Sequence, residues 1–405
     1  MHAIGLCLPL CSHVVSHLWR RYAGSLPHVF ESTTAGITIA TPQLDINTVA
    51  AGGGSRLFLQ SGRLVVGPES AGSHPGPVAY RKAGGLLAVT DANVVLGRVI
   101  PALFPNIFGP DENLPLDSDG ARDAFTALIA SSPSSPSFST PEQLAYGFLQ
   151  VANEAMCRPI RNLTQMRGYD ITSHVLSCFG GAGPQHACAI AKKLGMKTVH
   201  VHKYGGVLSA YGLSLSDAVV EVSGPANEVY QPSAPDTRVA AREARFAELE
   251  LRCTQQLLAQ GYPASIIETE RFLNLRYEGT DTAVMTPAAT SFDAVTKSFK
   301  EHYMREFGFD LNRDVIVDDY RVRGVVHGDN PPPLLPALPS STTPDSAVVM
   351  QKNVYFESGW QKVNVYDLEK LLAGQVIQGP AIIVQSISTI VVEEACVATV
   401  TSEVS

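Results

Sequence analysis

The chain has 405 residues, of which 45% are hydrophobic and 17% are charged, and its formal net charge is −8. This composition is that of an ordinary globular protein, and the length predicts two or three domains. Because the net charge is negative and no block of Lys and Arg occurs, the composition argues against a general nucleic-acid binder.

The first 20 residues match neither a secretory signal nor a membrane span. Residues 1–19 are mildly apolar, but three histidines interrupt them, and Arg20 and Arg21 follow them. A secretory signal carries its positive charge first, and a span needs about 20 continuous apolar residues. The cysteines and histidines of this stretch fit no common zinc spacing. We therefore expect a leader without a fold of its own, no membrane segment and no metal site.

Short strands and a glycine turn are predicted next. Strand-like patterns cover residues 36–40, 45–50 and 63–66, and the second ends in Ala-Gly-Gly-Gly-Ser at 51–55. An apolar helical segment then runs to Val99, with Thr90 or Asp91 as its N-cap.

A long helix is predicted from position 141 to about 167. Thr140 supplies its N-cap and Pro141 its first helical position. Apolar residues recur at helical spacing and predict a buried stripe. The members of this stripe are Leu144, Phe148, Val151, Ala152 and Ala155.

Residues 174–187 are the most informative stretch. An apolar run at 175–179 enters a turn with three glycines, and a helical pattern at 185–194 leaves it. In a strand, glycine turn and helix start of this kind, backbone N–H groups can meet a phosphate or a nucleotide edge. The spacing is neither Gly-x-Gly-x-x-Gly nor the lysine-bearing phosphate loop. A ligand cradle and a structural bend therefore remain equally open at this point.

The seven cysteines are scattered and include no C-x-x-C pair. This usage favours reduced thiols in a cytosolic compartment over a disulfide framework. Cys178 and Cys188 flank the glycine turn, and we interpret both as packing residues.

Alternating strands and helices predict an α/β fold with a parallel or mixed sheet over 21–222. Beyond it, the pattern predicts a charged helix at 237–260, a strand at 270–277, a helix at 290–307 and a strand at 315–326. The predicted organisation is a leader (1–20), an α/β domain (21–222), an α+β portion (223–330), a proline-rich linker (331–345) and a small β-rich unit (346–405).

Several motifs together resemble the hydantoinase A/oxoprolinase family. They occur in the family's order at 48–56, 66–72, 75–77, 90–98, 153–161, 179–183 and 208–212. The resemblance implies an actin/sugar-kinase-like ATPase half-domain that hydrolyses ATP with Mg²⁺. In this family ATP drives the opening of a cyclic amide in concert with a partner B-type region. For the eukaryotic members the resemblance implies 5-oxo-L-proline as the substrate, opened to L-glutamate in glutathione turnover, and a cytosolic homo-oligomer.

By the same resemblance, the turn at 179–183 matches the adenosine side of the ATPase fold. Its residues are Phe179, Gly180, Gly181, Ala182 and Gly183. The turn formed by Gly52, Gly53, Gly54 and Ser55 matches a second family turn, whose role stays open between phosphate contact and domain closure.

Candidates for supporting catalytic roles are Asp91, Glu154, Arg158 and Arg161. Each has a structural alternative, because Asp91 can cap a helix and Glu154 with Arg158 can form an i,i+4 ion pair. His186 can touch a ligand from the first turn of its helix or serve as a hydrogen-bonded structural histidine.

The sequence also departs from the family pattern. Arg-Tyr-Ala-Gly is present at 21–24, but residues 1–20 stand where the family carries a phosphate turn, and the first phosphate turn and the B-type region are missing. We therefore expect a catalytically incomplete fragment of a cyclic-amide hydrolase. The alternatives are a non-catalytic nucleotide-binding or interaction paralogue, and an A-type subunit that needs a separate partner chain.

Overall fold

The computed structural model describes residues 51–131, 138–165, 169–231, 236–289, 291–328 and 344–401, with the backbone of four short strands between 28 and 44. The predictions for the leader, for the strand at 45–50 and for most of the proline-rich linker lie outside the described residues. Described α-helices are α1 (Val89–Val95), α2 (Ser118–Ala130), α3 (Pro141–Thr164), α4 (Gly183–Leu194), α5 (Leu208–Ser214), α6 (Asp236–Ala259) and α7 (Phe292–Phe307).

The strands are numbered in chain order. They are β1 (His28–Val29), β2 (Ser32–Thr34), β3 (Ile37–Ile39), β4 (Gln43–Leu44), β5 (Ser55–Gln60), β6 (Arg63–Ser70), β7 (Val175–Cys178), β8 (Thr198–Val201), β9 (Ala218–Val229), β10 (Glu268–Tyr277), β11 (Val284–Pro287), β12 (Val315–Val326), β13 (Val348–Phe356), β14 (Gly359–Asp367), β15 (Val376–Gln378), β16 (Ala381–Gln385), β17 (Ser388–Val392) and β18 (Val397–Thr399). The chain divides into two compact units, one of Met1–Tyr211 with Pro333–Ser405 and one of Gly212–Pro332.

The core of the first unit forms around α3. This helix begins as predicted, because the Thr140 side chain accepts a hydrogen bond from the backbone N–H of Gln143. Leu144 and Phe148 are fully buried against α1, α2 and α4, which hides the apolar face of the helix from water. The described strands of residues 21–222 that precede β9 form separate two-stranded sheets: β7–β8 is parallel, whereas β1–β4, β2–β3 and β5–β6 are antiparallel.

The C-terminal strands belong to the same compact unit. Strands β13, β14, β16 and β17 form one sheet in which β14 and β16 run parallel, and β15 pairs with β18. Strand β17 packs against α4. Arg98, which follows α1, donates to Glu393, which follows β17, across 2.8 Å, and both side chains are buried. The fold therefore positions the C-terminal strands beside the predicted glycine turn.

The second unit is a four-stranded antiparallel sheet in the order β11-β10-β12-β9. Helix α6 packs on β9 and β12, and α7 packs on β11. The predicted boundaries of both helices and of β10 and β12 agree with the structure within two residues. Strands β9 and β11 lack a predicted counterpart.

Candidate functional site

The two glycine turns predicted from the sequence lie side by side. A Cβ atom added to Gly53 would lie 3.6 Å from the Cβ of Ala182. The first turn is closed by two hydrogen bonds: the Ser55 N–H donates to the Gly52 carbonyl at 3.0 Å, and the Gly52 N–H donates to Ser55 Oγ at 2.9 Å. Segments far apart in the sequence therefore form one glycine-rich surface.

Gly53 is fixed against the start of α1. The Thr90 N–H and hydroxyl both donate to the Gly53 carbonyl, at 2.8 and 3.0 Å. A Cβ at Gly53 would lie only 2.9 Å from Thr90 Oγ1, which is closer than real contacts allow. Glycine is therefore required here by the close approach of the two segments.

The second turn leads into α4. Gly180 has a φ of +88°, and its N–H donates to the Gly205 carbonyl at 2.6 Å. Gly181 is exposed at the tip of the turn. Among the described residues, no side chain caps the N-terminus of α4 after Ala182. The positive end of the helix dipole thus lies next to Gly181, which is exposed and has no Cβ, and this suits an anionic or hydrogen-bonding ligand.

A loop of the C-terminal sheet borders the turn. A Cβ added to Gly206 would lie 2.6 Å from the carbonyl oxygen of Ile387, and one added to Gly181 would lie 3.4 Å from the same oxygen. Gln385 donates from its side-chain amide to the Lys203 carbonyl. The sequence analysis missed this contact, since no local pattern connects these distant segments.

Aromatic rings extend the site beyond β8. The rings of His202 and Tyr211 stack with centroids 5.3 Å apart, and Tyr204 lies 5.0 Å from Tyr211 and 5.6 Å from His202. The Lys203 ammonium lies 5.1 Å from the Tyr204 ring, and Tyr204 is 40% exposed. We call His202, Tyr204 and Tyr211 the ring cluster.

The ring cluster was missed by the sequence analysis, although a usable signal existed. Strands β7 and β8 are parallel, so the segments that follow them leave the same edge of the pair. Ligands of α/β folds bind at this carboxyl edge. His202 and Tyr204, which follow β8 at this edge, could therefore have been considered as site residues.

The contacts of Asp91 indicate a structural role. The predicted N-cap at Thr90 or Asp91 is wrong: the N-cap is Ala88, and Asp91 lies at the third helical position. Its carboxylate is completely buried and accepts backbone N–H groups of Val78, Ala79 and Ala88 at 3.3, 2.8 and 2.7 Å. These bonds fix the loop before α1. Because one of them comes from the N-cap residue Ala88, Asp91 caps the helix from its third position, in agreement with the structural alternative. Burial outweighs the three hydrogen bonds and raises the pKa of Asp91 to about 6.

We expect Asp91→Asn to change the pH dependence of stability. Because the folded state retains the proton up to a higher pH than the unfolded chain, the contribution of Asp91 is complete below pH 4 and falls as the pH rises through about 6. At about 1.4 kcal/mol per pKa unit, the wild type should lose about 3 kcal/mol relative to the variant across this window. Urea unfolding at several pH values measures the difference, and parallel curves for both proteins would contradict it.

Two of the candidates on α3 form an ion pair with each other. Arg161 donates to Glu154 at 2.5 Å, so the ion pair of Glu154 is with Arg161 and not with Arg158 as the i,i+4 alternative supposed. The Arg161 hydrogen bond lowers the pKa of Glu154, and the charges of Lys193 and Arg158 add to it. Lys193 is in the last turn of α4, about 15 Å along the helix from the glycine turn. The contacts of Glu154 therefore favour a structural role.

His186 is buried in the first turn of α4 and interacts with α3. Its Nδ1 lies 2.8 Å from Asn153 Oδ1, and its Nε2 has no hydrogen-bond partner among the described residues. Burial, with the nearby charge of Arg98, lowers the pKa of His186 to about 3, so the ring is neutral at physiological pH. These contacts correspond to the structural alternative for His186.

The arrangement suits a nucleotide. It offers exposed glycine backbone, an uncapped helix start and exposed rings, which can bind sugar, phosphate and base respectively. In the described part of the chain, no three His, Cys, Asp or Glu side chains come together as metal ligands. The described helices include none that is long and apolar enough to cross a membrane.

Comparison with known proteins identifies two matching family models. The hydantoinase/oxoprolinase model matches residues 19–222, and the hydantoinase/oxoprolinase C-terminal domain model matches residues 234–403. The chain is 48% identical over 392 residues to a 5-oxoprolinase of Dictyostelium discoideum, covering 94% of this chain and 30% of the relative. The chain thus spans about 30% of the length of this curated relative.

Two solved structures share the fold. A nucleotide-free acetone carboxylase matches with a TM-score of 0.77 at 24% identity, over 94% of this chain and 55% of the other. An ATP-dependent caprolactamase from Pseudomonas jessenii matches with a TM-score of 0.74 at 25% identity, over 100% of this chain and 58% of the other. The predicted fold class, an actin-like ATPase type of mixed α/β architecture, is confirmed.

Proposed function

The chain belongs to the hydantoinase/oxoprolinase family, and from this premise we propose that it forms part of an ATP-dependent 5-oxoprolinase that opens 5-oxo-L-proline to L-glutamate. The observation that supports this most directly is the juxtaposition of the turns at 52–55 and 179–183 beside the ring cluster. A nucleotide needs a surface of this kind, because its phosphates and sugar approach backbone closely and its base stacks on rings.

ATP would supply the chemical driving force. A five-membered lactam is a poor electrophile, and phosphorylation of its carbonyl oxygen would create a far better leaving group. Such catalysis depends on positioning and on the neutralisation of phosphate charge. In this proposal Mg²⁺ accompanies the phosphates.

The role of this chain's own residues is to bind and orient the nucleotide. Gly181 would present its exposed backbone directly before α4, and Gly53 lies next to Ala182. Tyr204 offers an exposed ring at the same edge. Thr90 holds the Gly53 carbonyl, and Ile387 limits the space on the side of the C-terminal strands.

The proposal includes partners that the chain itself does not contain. Substrate activation and ring opening would need a B-type oxoprolinase region as a partner. We further propose a lactam as the small-molecule substrate, a homo-oligomer for the full-length enzyme, and a cytosolic location in agreement with the scattered cysteines.

Calorimetric titration of the purified chain with ATP and MgCl₂ tests nucleotide binding. We expect the wild-type chain to bind ATP and Gly181→Ala to bind it about tenfold more weakly, because the added methyl group would occupy the space where the nucleotide approaches. The fold should tolerate this methyl group, since its nearest neighbour would be 3.4 Å away. Gly212→Ala is the matched control, because a Cβ at Gly212 meets nothing within 4 Å and should leave affinity unchanged.

Two results would decide against parts of the proposal. Absence of ATP binding by the wild-type chain would contradict the nucleotide site itself. ATP binding without phosphate release stimulated by 5-oxo-L-proline, even after a B-type region is added, would favour the non-catalytic nucleotide-binding alternative.

A further inference from the structure

Two cysteines from distant parts of the chain meet beside α4. Cys188 lies within α4 and is 3% exposed, and Cys396 lies in the turn between β17 and β18 and is half-buried. A side-chain hydrogen bond joins the two thiols. Both residues belong to the first compact unit, so their proximity is a property of one packed core.

The turn that carries Cys396 is held in place from several sides. The Cys396 N–H donates to the Glu393 carbonyl at 3.1 Å, and the Gly379 N–H donates to the Cys396 carbonyl at 2.9 Å. From α4, the Lys192 ammonium donates to the Glu394 carbonyl at 2.9 Å. These bonds keep the half-buried thiol of Cys396 against the buried thiol of Cys188.

We propose that Cys188 and Cys396 are an oxidation site, at which a hydroperoxide such as hydrogen peroxide converts the two thiols into a reversible disulfide. The disulfide would tie α4 to the β17–β18 turn. Since α4 begins at the glycine turn, the bond would fasten the helix that carries the candidate nucleotide site to the C-terminal strands. The proposal does not depend on nucleotide binding.

The electrostatic environment assigns different roles to the two sulfurs. The hydrogen bond from Cys188, together with the charge of Lys192, lowers the pKa of Cys396 to about 7, whereas Cys188 has a pKa well above its ordinary value. Cys396 is therefore the more acidic and the more accessible of the two thiols, and thiolates react with peroxides. Burial raises the pKa of Cys157 to about 11, which makes that thiol unreactive by comparison.

The reaction balances in two steps. The Cys396 thiolate attacks one peroxide oxygen, the O–O bond breaks, and the released hydroxide takes up a proton to give water and a sulfenic acid on Cys396. The Cys188 sulfur then attacks the sulfenic sulfur, its proton and the hydroxyl group leave as a second water, and the S–S bond forms. One peroxide is reduced to two waters while two thiols are oxidised.

Peptide mapping of the full chain tests the proposal. The reduced protein is treated with hydrogen peroxide, blocked with N-ethylmaleimide and digested with trypsin without reductant. We expect a cross-linked pair of peptides that contain Cys188 and Cys396, lighter by two hydrogen atoms than the separate thiol peptides and split by dithiothreitol. The C-terminal tryptic peptide after Lys370 contains Cys396 as its single cysteine, so this end of the cross-link is assigned without ambiguity.

A matched variant controls for the second cysteine on the other peptide. Cys178 and Cys188 fall on the same tryptic peptide, so Cys178→Ser should retain the cross-link and Cys188→Ser should abolish it. In Cys188→Ser, Cys396 should progress to sulfinic acid, because no resolving thiol remains. The proposal is overturned if peroxide leaves Cys396 alkylated by N-ethylmaleimide, oxidises it to sulfinic acid in the wild type, or links it to another cysteine.

Discussion

Glu393→Ala is expected to destabilise the first unit by about 3–5 kcal/mol, the usual cost when one partner of a buried ion pair is removed. Arg98 is 2% exposed, and Glu393 is 7% exposed. Without Glu393 the guanidinium would keep its hydrogen bonds to the Tyr355 carbonyl and its contacts with the rings of Tyr146 and Phe356. None of these carries a negative charge, so a buried cation would remain uncompensated.

Urea unfolding followed by the emission of Trp360, which lies in β14, measures this loss in the unit concerned. The matched control is Glu69→Ala, which removes the exposed ion pair with Arg56 and should change stability by less than about 1 kcal/mol. The combined change Arg98→Met with Glu393→Leu should recover much of the loss, because it removes both charges together. Equal effects of Glu393→Ala and Glu69→Ala would refute the assignment of this pair as a structural link.

The elements that the sequence predicted well are those whose signals are local. The cap at Thr140 and the apolar spacing after it determine where α3 begins, and α6 was predicted from its charged helical pattern. The strand, glycine turn and helix at 175–194 were predicted for the same reason, since a short apolar run, three glycines and a helical pattern follow one another in the sequence.

What the sequence could not predict depends on contacts between distant segments. The N-cap of α1 was predicted incorrectly because the Asp91 carboxylate accepts hydrogen bonds from the backbone N–H groups of Val78 and Ala79, which lie outside the helix. Likewise, the contact of Ile387 with Gly206 and the Arg98–Glu393 pair follow from the packing of the C-terminal strands on the first part of the chain. The spacing of residue types along the sequence does not predict such contacts.

Tyr204→Ala is expected to weaken ATP binding by roughly 5- to 150-fold, if the ring cluster binds the base as the proposed function requires. The estimate corresponds to the loss of one base–aromatic stacking contact, about 1–3 kcal/mol. Tyr204 is the ring of the cluster with a large exposed face, and the hydrogen bond from the Gly180 N–H to the Gly205 carbonyl keeps its loop next to the glycine turn. Calorimetric titration with ATP and MgCl₂ measures the change.

Tyr204→Phe separates stacking from other effects, because it retains the ring and removes the hydroxyl; its ATP affinity should stay within about twofold of the wild type. Binding of tripolyphosphate, which has no base, should be equal in the wild type and in Tyr204→Ala. If Tyr204→Ala weakens both ligands equally, the ring supports the loop and does not contact the base. If the wild type binds ATP and Tyr204→Ala binds it equally well, the base lies elsewhere, and the glycine turns alone carry the nucleotide site.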